Sequence, residues 1–177
     1  MASRIRLPII LISSLLVVSC VGFALFHYRA RQPPHSGTEA KSYKPLPAAN
    51  LIDLAGKKLE DQELRRGKVI LVFAAPECGP CRAEAQFLRT VVGKRSDVKF
   101  YGVVSFGGKK STPAATEELY PFKVFYDEDS SLASILGVKK VPMKVYLEDG
   151  LMKKGWGGAT NQEQEKKDFI DWLDSLS

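Results

Sequence analysis

Apolar and polar positions change their spacing several times along the chain, and each change predicts an element. Residues 7–26, LPIILISSLLVVSCVGFALF, carry no charge. At a helical rise of about 1.5 Å per residue this stretch matches the ~30 Å hydrocarbon layer of a bilayer, so residues 1–30 read as an N-terminal membrane anchor with a transmembrane helix. Residues 31–47 hold Pro33, Pro34, Pro45 and Pro47 with Ser36, Gly37 and Thr38, a composition that keeps a linker extended. A globular domain is predicted over residues 48–177.

Within that domain the pattern alternates between strand and helix. Leu51 and Ile52 with Gly56 suggest a short strand and turn, and Val69–Phe73 is an unbroken apolar run bounded by charges, as a buried central strand requires. Apolar residues at 81, 85, 88 and 92 then follow helical spacing, and Val98–Val104 returns to a strand. Thr112-Pro113 opens a helix that Pro121 stops; Phe122, Val124 and Tyr126 alternate as a strand; Asp129 caps a short helix carrying Leu132, Ile135 and Leu136, closed by Gly137. Met143, Val145 and Leu147 alternate with Lys144, Tyr146 and Glu148 before Asp149-Gly150 turns the chain into a hairpin. Thr160 with Glu163 reads as the capping box of a last helix that buries Phe169, Ile170, Leu173 and Leu176. This order predicts an α/β fold, a sheet with helices on both faces.

Charge changes the picture little. Of the formal net charge of +6, residues 1–44 supply +5, so the domain is nearly neutral and offers no broad basic surface to nucleic acid. Positive residues flank the apolar stretch on both sides, so the positive-inside rule does not orient it. The layout of a short tail, one span and a large domain places the domain outside the cytoplasm, on the periplasmic side in a bacterium. Val17-Val18-Ser19-Cys20 loosely resembles a lipoprotein cleavage box, which keeps lipidation of Cys20 as one alternative; an ordinary cleaved signal peptide is the other.

Chemistry concentrates at Cys78-Gly79-Pro80-Cys81, directly after the apolar run. Thiols three positions apart can close a small disulfide ring and reopen it. Pro80 early in the following helix puts Cys78 at the helix N-terminus, where unpaired N–H groups favour a thiolate, and makes Cys81, one turn later, the shielded partner. Zinc is disfavoured, because Cys20 lies in the apolar stretch and His27 and His35 precede the domain. Glu84 has two readings: a proton exchanger for Cys81, or a first-turn glutamate favouring the helix dipole. Pro142 alone reads as a strand-start proline. Gly107-Gly108-Lys109-Lys110 lacks the register of a phosphate loop.

The segment GKVILVFAAPECGPCRAE, residues 67–84, resembles the active-site region of thioredoxin-fold proteins, most closely the TlpA-like and ResA-like membrane-anchored thiol-disulfide oxidoreductases. LIDLAGKKLE at 51–60 and GVKKVP at 137–142 resemble the opening strand and the cis-proline approach of that family. The resemblance implies a thioredoxin-like fold with a central mixed sheet flanked by helices. It implies catalysis by Cys78 and Cys81 tuned by Glu84, substrate binding by Gly79, Pro80, Val141 and a cis Pro142, and neither cofactor nor metal. Expected partners are protein thiols or disulfides and an upstream electron donor, with no nucleic acid and a monomeric state. The direction implied is reductive, in cytochrome c maturation or extracytoplasmic disulfide reduction. Two departures stand out: Val72 occupies the position of thioredoxin's buried aspartate, and Glu77 sits where a tryptophan usually precedes the first cysteine. A peroxiredoxin-like thiol peroxidase is one alternative, against which Ala75 replaces the usual threonine; a non-catalytic binding or chaperone module is the other.

Overall fold

The structure, a computed structural model, describes residues 38–39, 46, 48–75, 77–105 and 118–176. The predicted transmembrane stretch, Cys20, most of residues 31–47, Gly107–Lys110 and the helix expected at Thr112 lie outside the described residues. Among the described residues no helix is long and apolar enough to cross a membrane.

Strands β1 (Thr38–Glu39), β2 (Leu51–Ile52), β3 (Lys68–Ala74), β4 (Val98–Val104), β5 (Val124–Asp127), β6 (Met143–Glu148) and β7 (Leu151–Gly157) form one mixed sheet in the order β1-β7-β6-β3-β4-β5-β2. Strand β3 runs parallel to β4 and antiparallel to β6, and so occupies the centre. Helices α1 (Asp61–Arg65), α2 (Gly79–Arg89), α3 (Ser131–Ile135) and α4 (Glu163–Asp174) complete the described elements.

Because side chains alternate across a strand, β3 feeds two cores. Ile70, Val72 and Ala74 pack with Cys81, Ala85 and Leu88 of α2 and with Phe169 and Leu173 of α4. Val69, Leu71 and Phe73 pack on the other face with Leu64, Leu132, Val145 and Leu147. Covering on both faces explains why the central strand reads as continuous apolar sequence. Parallel β4 and β5 approach closely where Gly102 faces Val124; a Cβ on Gly102 would stand 2.9 Å from Val124 Cγ2. The hairpin turn puts Asp149 and Gly150 at φ 50° and 75°, the left-handed pair that suits strand twist.

Several local expectations are corrected. Strand β5 begins at Val124, and Phe122 lies outside it, its ring stacked 5.3 Å from Tyr120 and 5.8 Å from Phe100. Helix α3 is anchored mainly from Asp127, whose carboxylate accepts from Leu132 N and Ala133 N at 3.2 and 2.9 Å; Asp129 accepts from Ser131 N at 3.0 Å. Of the apolar residues that this helix carries, Leu132 is buried and Ile135 is half exposed. The box opening α4 is built around Glu165, which accepts from Asn161 N and Gln162 N, while Thr160 turns inward. Nor does the alternation in β6 mark a wet face: Lys144 and Tyr146 are as buried as Val145 and Leu147, because β6 lies between β3 and β7 beneath the α2 and α4 layer.

Candidate functional site

Strand β3 delivers the chain to the site. After Ala74 the backbone reaches Glu77, exposed and in the left-handed region at φ 58°, a conformation that costs a non-glycine residue about 1 kcal/mol. Cys78 follows in extended conformation as the residue that caps α2, and Pro80 sits in the first turn. Pro80 has no N–H to leave unpaired, and its fixed φ suits a helix start. Cys81 N donates to Cys78 Sγ at 3.2 Å, so the cap is a sulfur atom.

The two cysteines are joined as a disulfide, S–S 2.12 Å with Cα atoms 5.2 Å apart. They differ in access. Cys78 is partly buried against the core, with Gly79 and Pro80 exposed beside it, whereas Cys81 is 1% exposed within that core. Cys78 is thus the more exposed of the two residues, and Cys81 is shielded by the core.

One turn beyond Cys81, Glu84 is fully buried. Its carboxylate pairs with Lys144 Nζ of β6 at 2.5 Å, the two side chains being 0% and 2% exposed. Thr160 completes the cluster: its N–H donates to Glu84 Oε2 at 2.6 Å, its hydroxyl lies 3.1 Å from Oε1, and Lys144 Nζ donates to that hydroxyl at 2.8 Å. Burial pushes the Lys144 ammonium below the ordinary lysine range, and the charge of Glu84 opposes that shift. On the other side, Tyr120 directs its hydroxyl at Cys81 O, 3.5 Å away, and burial followed by the charge of Glu84 pushes the phenol above its ordinary range.

Val141 and Pro142, joined by a cis peptide bond, stand immediately before β6. Because Met143 is registered opposite Phe73, they reach the same end of the sheet as the Cys78 loop. Pro142 is buried and accepts from Gly158 N at 2.8 Å; Val141 is half-buried and packs against both cores. The structure therefore gathers Cys78, Gly79, Pro80, Cys81, Val141 and Pro142 at one end of the sheet, with Glu84 behind Cys81 on α2. Ala75 is half-buried beside them.

Lys144, Thr160 and Tyr120 are the members of this cluster that sequence reasoning missed. Lys144 lay in an alternating strand, where a lysine reads as solvent-facing. The available signal was register: Lys144 sits directly opposite Val72, the position where thioredoxin carries its aspartate, so a charge on β6 faces the same layer.

Comparison with known proteins adds three findings. The Redoxin family matches residues 41–147. No curated protein matches the chain. Among solved structures, similarity extends to a secreted Mycobacterium tuberculosis disulfide oxidoreductase homologous to E. coli DsbE, at 19% identity and TM-score 0.59, covering 71% of this chain and 94% of that one. It extends also to the exposed lipoprotein thioredoxin Etrx1 of Streptococcus pneumoniae, at 23% and 0.56 with 71% and 97% covered, and to StoA of Bacillus subtilis, at 18% and 0.52 with 73% and 99% covered. At these identities the likeness shows the thioredoxin-like fold.

Proposed function

The chain belongs to the Redoxin family, and on that premise we propose that it is a thiol-disulfide oxidoreductase that reduces protein disulfides through Cys78 and Cys81. One observation carries this reading: a partly exposed cysteine at a helix N-terminus is bonded to a buried one three residues on. A structural disulfide has no need of that difference in access; an exchange reaction does.

In the reduced protein, the N-terminal amides and dipole of α2 favour the Cys78 thiolate. Its sulfur attacks one sulfur of a substrate disulfide, the substrate S–S bond breaks, and one substrate sulfur leaves as a thiolate. Cys81 then loses its proton and attacks Cys78 Sγ, the mixed disulfide breaks, and the second substrate sulfur departs. Two electrons have passed to the substrate, and the Cys78–Cys81 disulfide remains for an upstream dithiol donor to reduce.

Gly79 and Pro80 expose the nucleophile. Val141, held by the cis bond to Pro142, offers its backbone to an extended substrate segment beside it. The Gly79-Pro80 dipeptide, like that of reducing thioredoxins, supports the reductive direction, with partner potentials deciding the flow. Relatives described as secreted and as an exposed lipoprotein, with the uncharged stretch at 7–26, support a domain tethered to a membrane and working outside the cytoplasm.

The test is substrate trapping. Replacing Cys81→Ser removes the resolving thiol, and partners should accumulate on Cys78 as mixed disulfides visible on non-reducing gels and released by dithiothreitol. Absence of trapped species, with Cys78 still alkylated readily, would sink the proposal and leave the binding-module alternative.

A further inference from the structure

We propose that Lys144 is a positioning residue that locks Glu84 as a carboxylate behind Cys81, so that the proton lost from Cys81 in the resolving step does not come to rest on Glu84. The inference rests on the thiol-exchange reading and deepens it.

The geometry of the donors carries the argument. Oε1 of Glu84 faces Lys144 Nζ at 2.5 Å and the Thr160 hydroxyl at 3.1 Å, and Oε2 faces Thr160 N at 2.6 Å. Since Thr160 Oγ1 already accepts from Lys144 at 2.8 Å, its own hydrogen is directed to Glu84. Among the described residues, every partner of the carboxylate, with Lys144 as an ammonium, is therefore a donor. A proton added to either oxygen would meet another hydrogen and would leave an uncompensated ammonium in the core, a situation that costs several kcal/mol.

The surroundings reinforce the lock. Val72, opposite Lys144 in the sheet, offers no competing carboxylate. From α4, Phe169 lays its ring 5.3 Å from Lys144 Nζ, and the charge of Glu165 acts on Lys144 at longer range. The Tyr120 hydroxyl lies toward Cys81 and feels the charge of Glu84. Cys81 itself precedes Glu84 by one turn of α2. In the resolving step the S–H bond of Cys81 breaks, the Cys81–Cys78 bond forms and the Cys78–substrate bond breaks. The proton from Cys81 is matched by the proton that the departing thiolate takes up through solvent, and Glu84 ends as it began.

The experiment follows the reduced full-length protein, with Cys20→Ser in every variant so that only Cys78 and Cys81 react, reacting with 5,5′-dithiobis(2-nitrobenzoate) between about pH 4 and 9. Attack by Cys78 releases one aromatic thiolate, and resolution by Cys81 releases the second in a separate phase. The wild-type resolving rate should rise with pH along a single ionisation. Lys144→Met should add a second inflection, changing the rate on its acid side about tenfold, the equivalent of one pKa unit; Glu84→Gln/Lys144→Met should lose it. Coincident profiles for wild type and Lys144→Met would overturn the proposal, even if stability fell. So would a wild-type inflection that Glu84→Gln removes. Should Lys144→Met fail to fold, Glu84→Gln serves instead: its unpaired Lys144 amine should introduce an inflection absent from the double variant, and a missing one overturns the proposal. Cys81→Ser must show the first phase only; a second phase there would instead defeat the exchange mechanism itself.

Discussion

Lys144 and Glu84 have left water together, a transfer that costs several kcal/mol per ion and is offset only when the remaining donors and lone pairs find partners. Here Thr160 supplies them, so the pair is tolerated as a unit. Removing one member should therefore hurt more than removing both. We expect Lys144→Met to lower the unfolding free energy by about 3–5 kcal/mol and Glu84→Gln/Lys144→Met by markedly less, as urea titration would measure; equal losses would mean the charges do not compensate each other. The asymmetry also explains what was legible at this scale. Cys78 and Cys81 announce themselves, because a redox pair needs fixed spacing along one helical turn. Glu84 was visible as a candidate with two readings. Its partners were not, since Lys144 is 60 residues and Thr160 76 residues away in sequence and only the sheet brings them near.

Elements built from local patterns were read nearly as they stand: β3, β4 and the β6-β7 hairpin fall at their predicted places, and α2 begins beside Cys78. What local pattern cannot give is which polar side chain closes an element end, because several candidates compete within a few residues. At α3 the nearer candidate was Asp129, but Asp127 is buried at the end of β5 and fastens Leu132 N, Ala133 N and the Ser105 hydroxyl, so one side chain ties β4, β5 and α3 together. Losing a buried acceptor leaves its donors unsatisfied, at about 1–3 kcal/mol. Asp127→Ala should accordingly lower stability by that amount or more, whereas Asp129→Ala, on an exposed turn, should cost under about 1 kcal/mol. Chemical denaturation of the two variants checks the ranking, and a reversed order would return the cap to Asp129.

At the scale of the whole molecule, the two cores and six of the seven strands lie in residues that carry almost no net charge, while most of the excess positive charge falls in residues 1–44, which supply only the edge strand β1. If residues 1–34 tether the chain as proposed, chemistry and tethering belong to different parts of it and should separate experimentally. The uncharged run at 7–26 has the length of a bilayer span. A chain lacking residues 1–34 should remain in the supernatant after an alkaline membrane wash, where the full chain sediments with membranes. With Cys20→Ser in the full chain, both should react with 5,5′-dithiobis(2-nitrobenzoate) in the same two phases at the same rates, since Cys78, Cys81 and the Glu84 cluster draw their contacts from residue 70 onward. Cys20→Ser separates the two forms of tether. A retained apolar span holds the protein at the membrane without the thiol, whereas a lipid carried on Cys20 would be lost with it and the protein released.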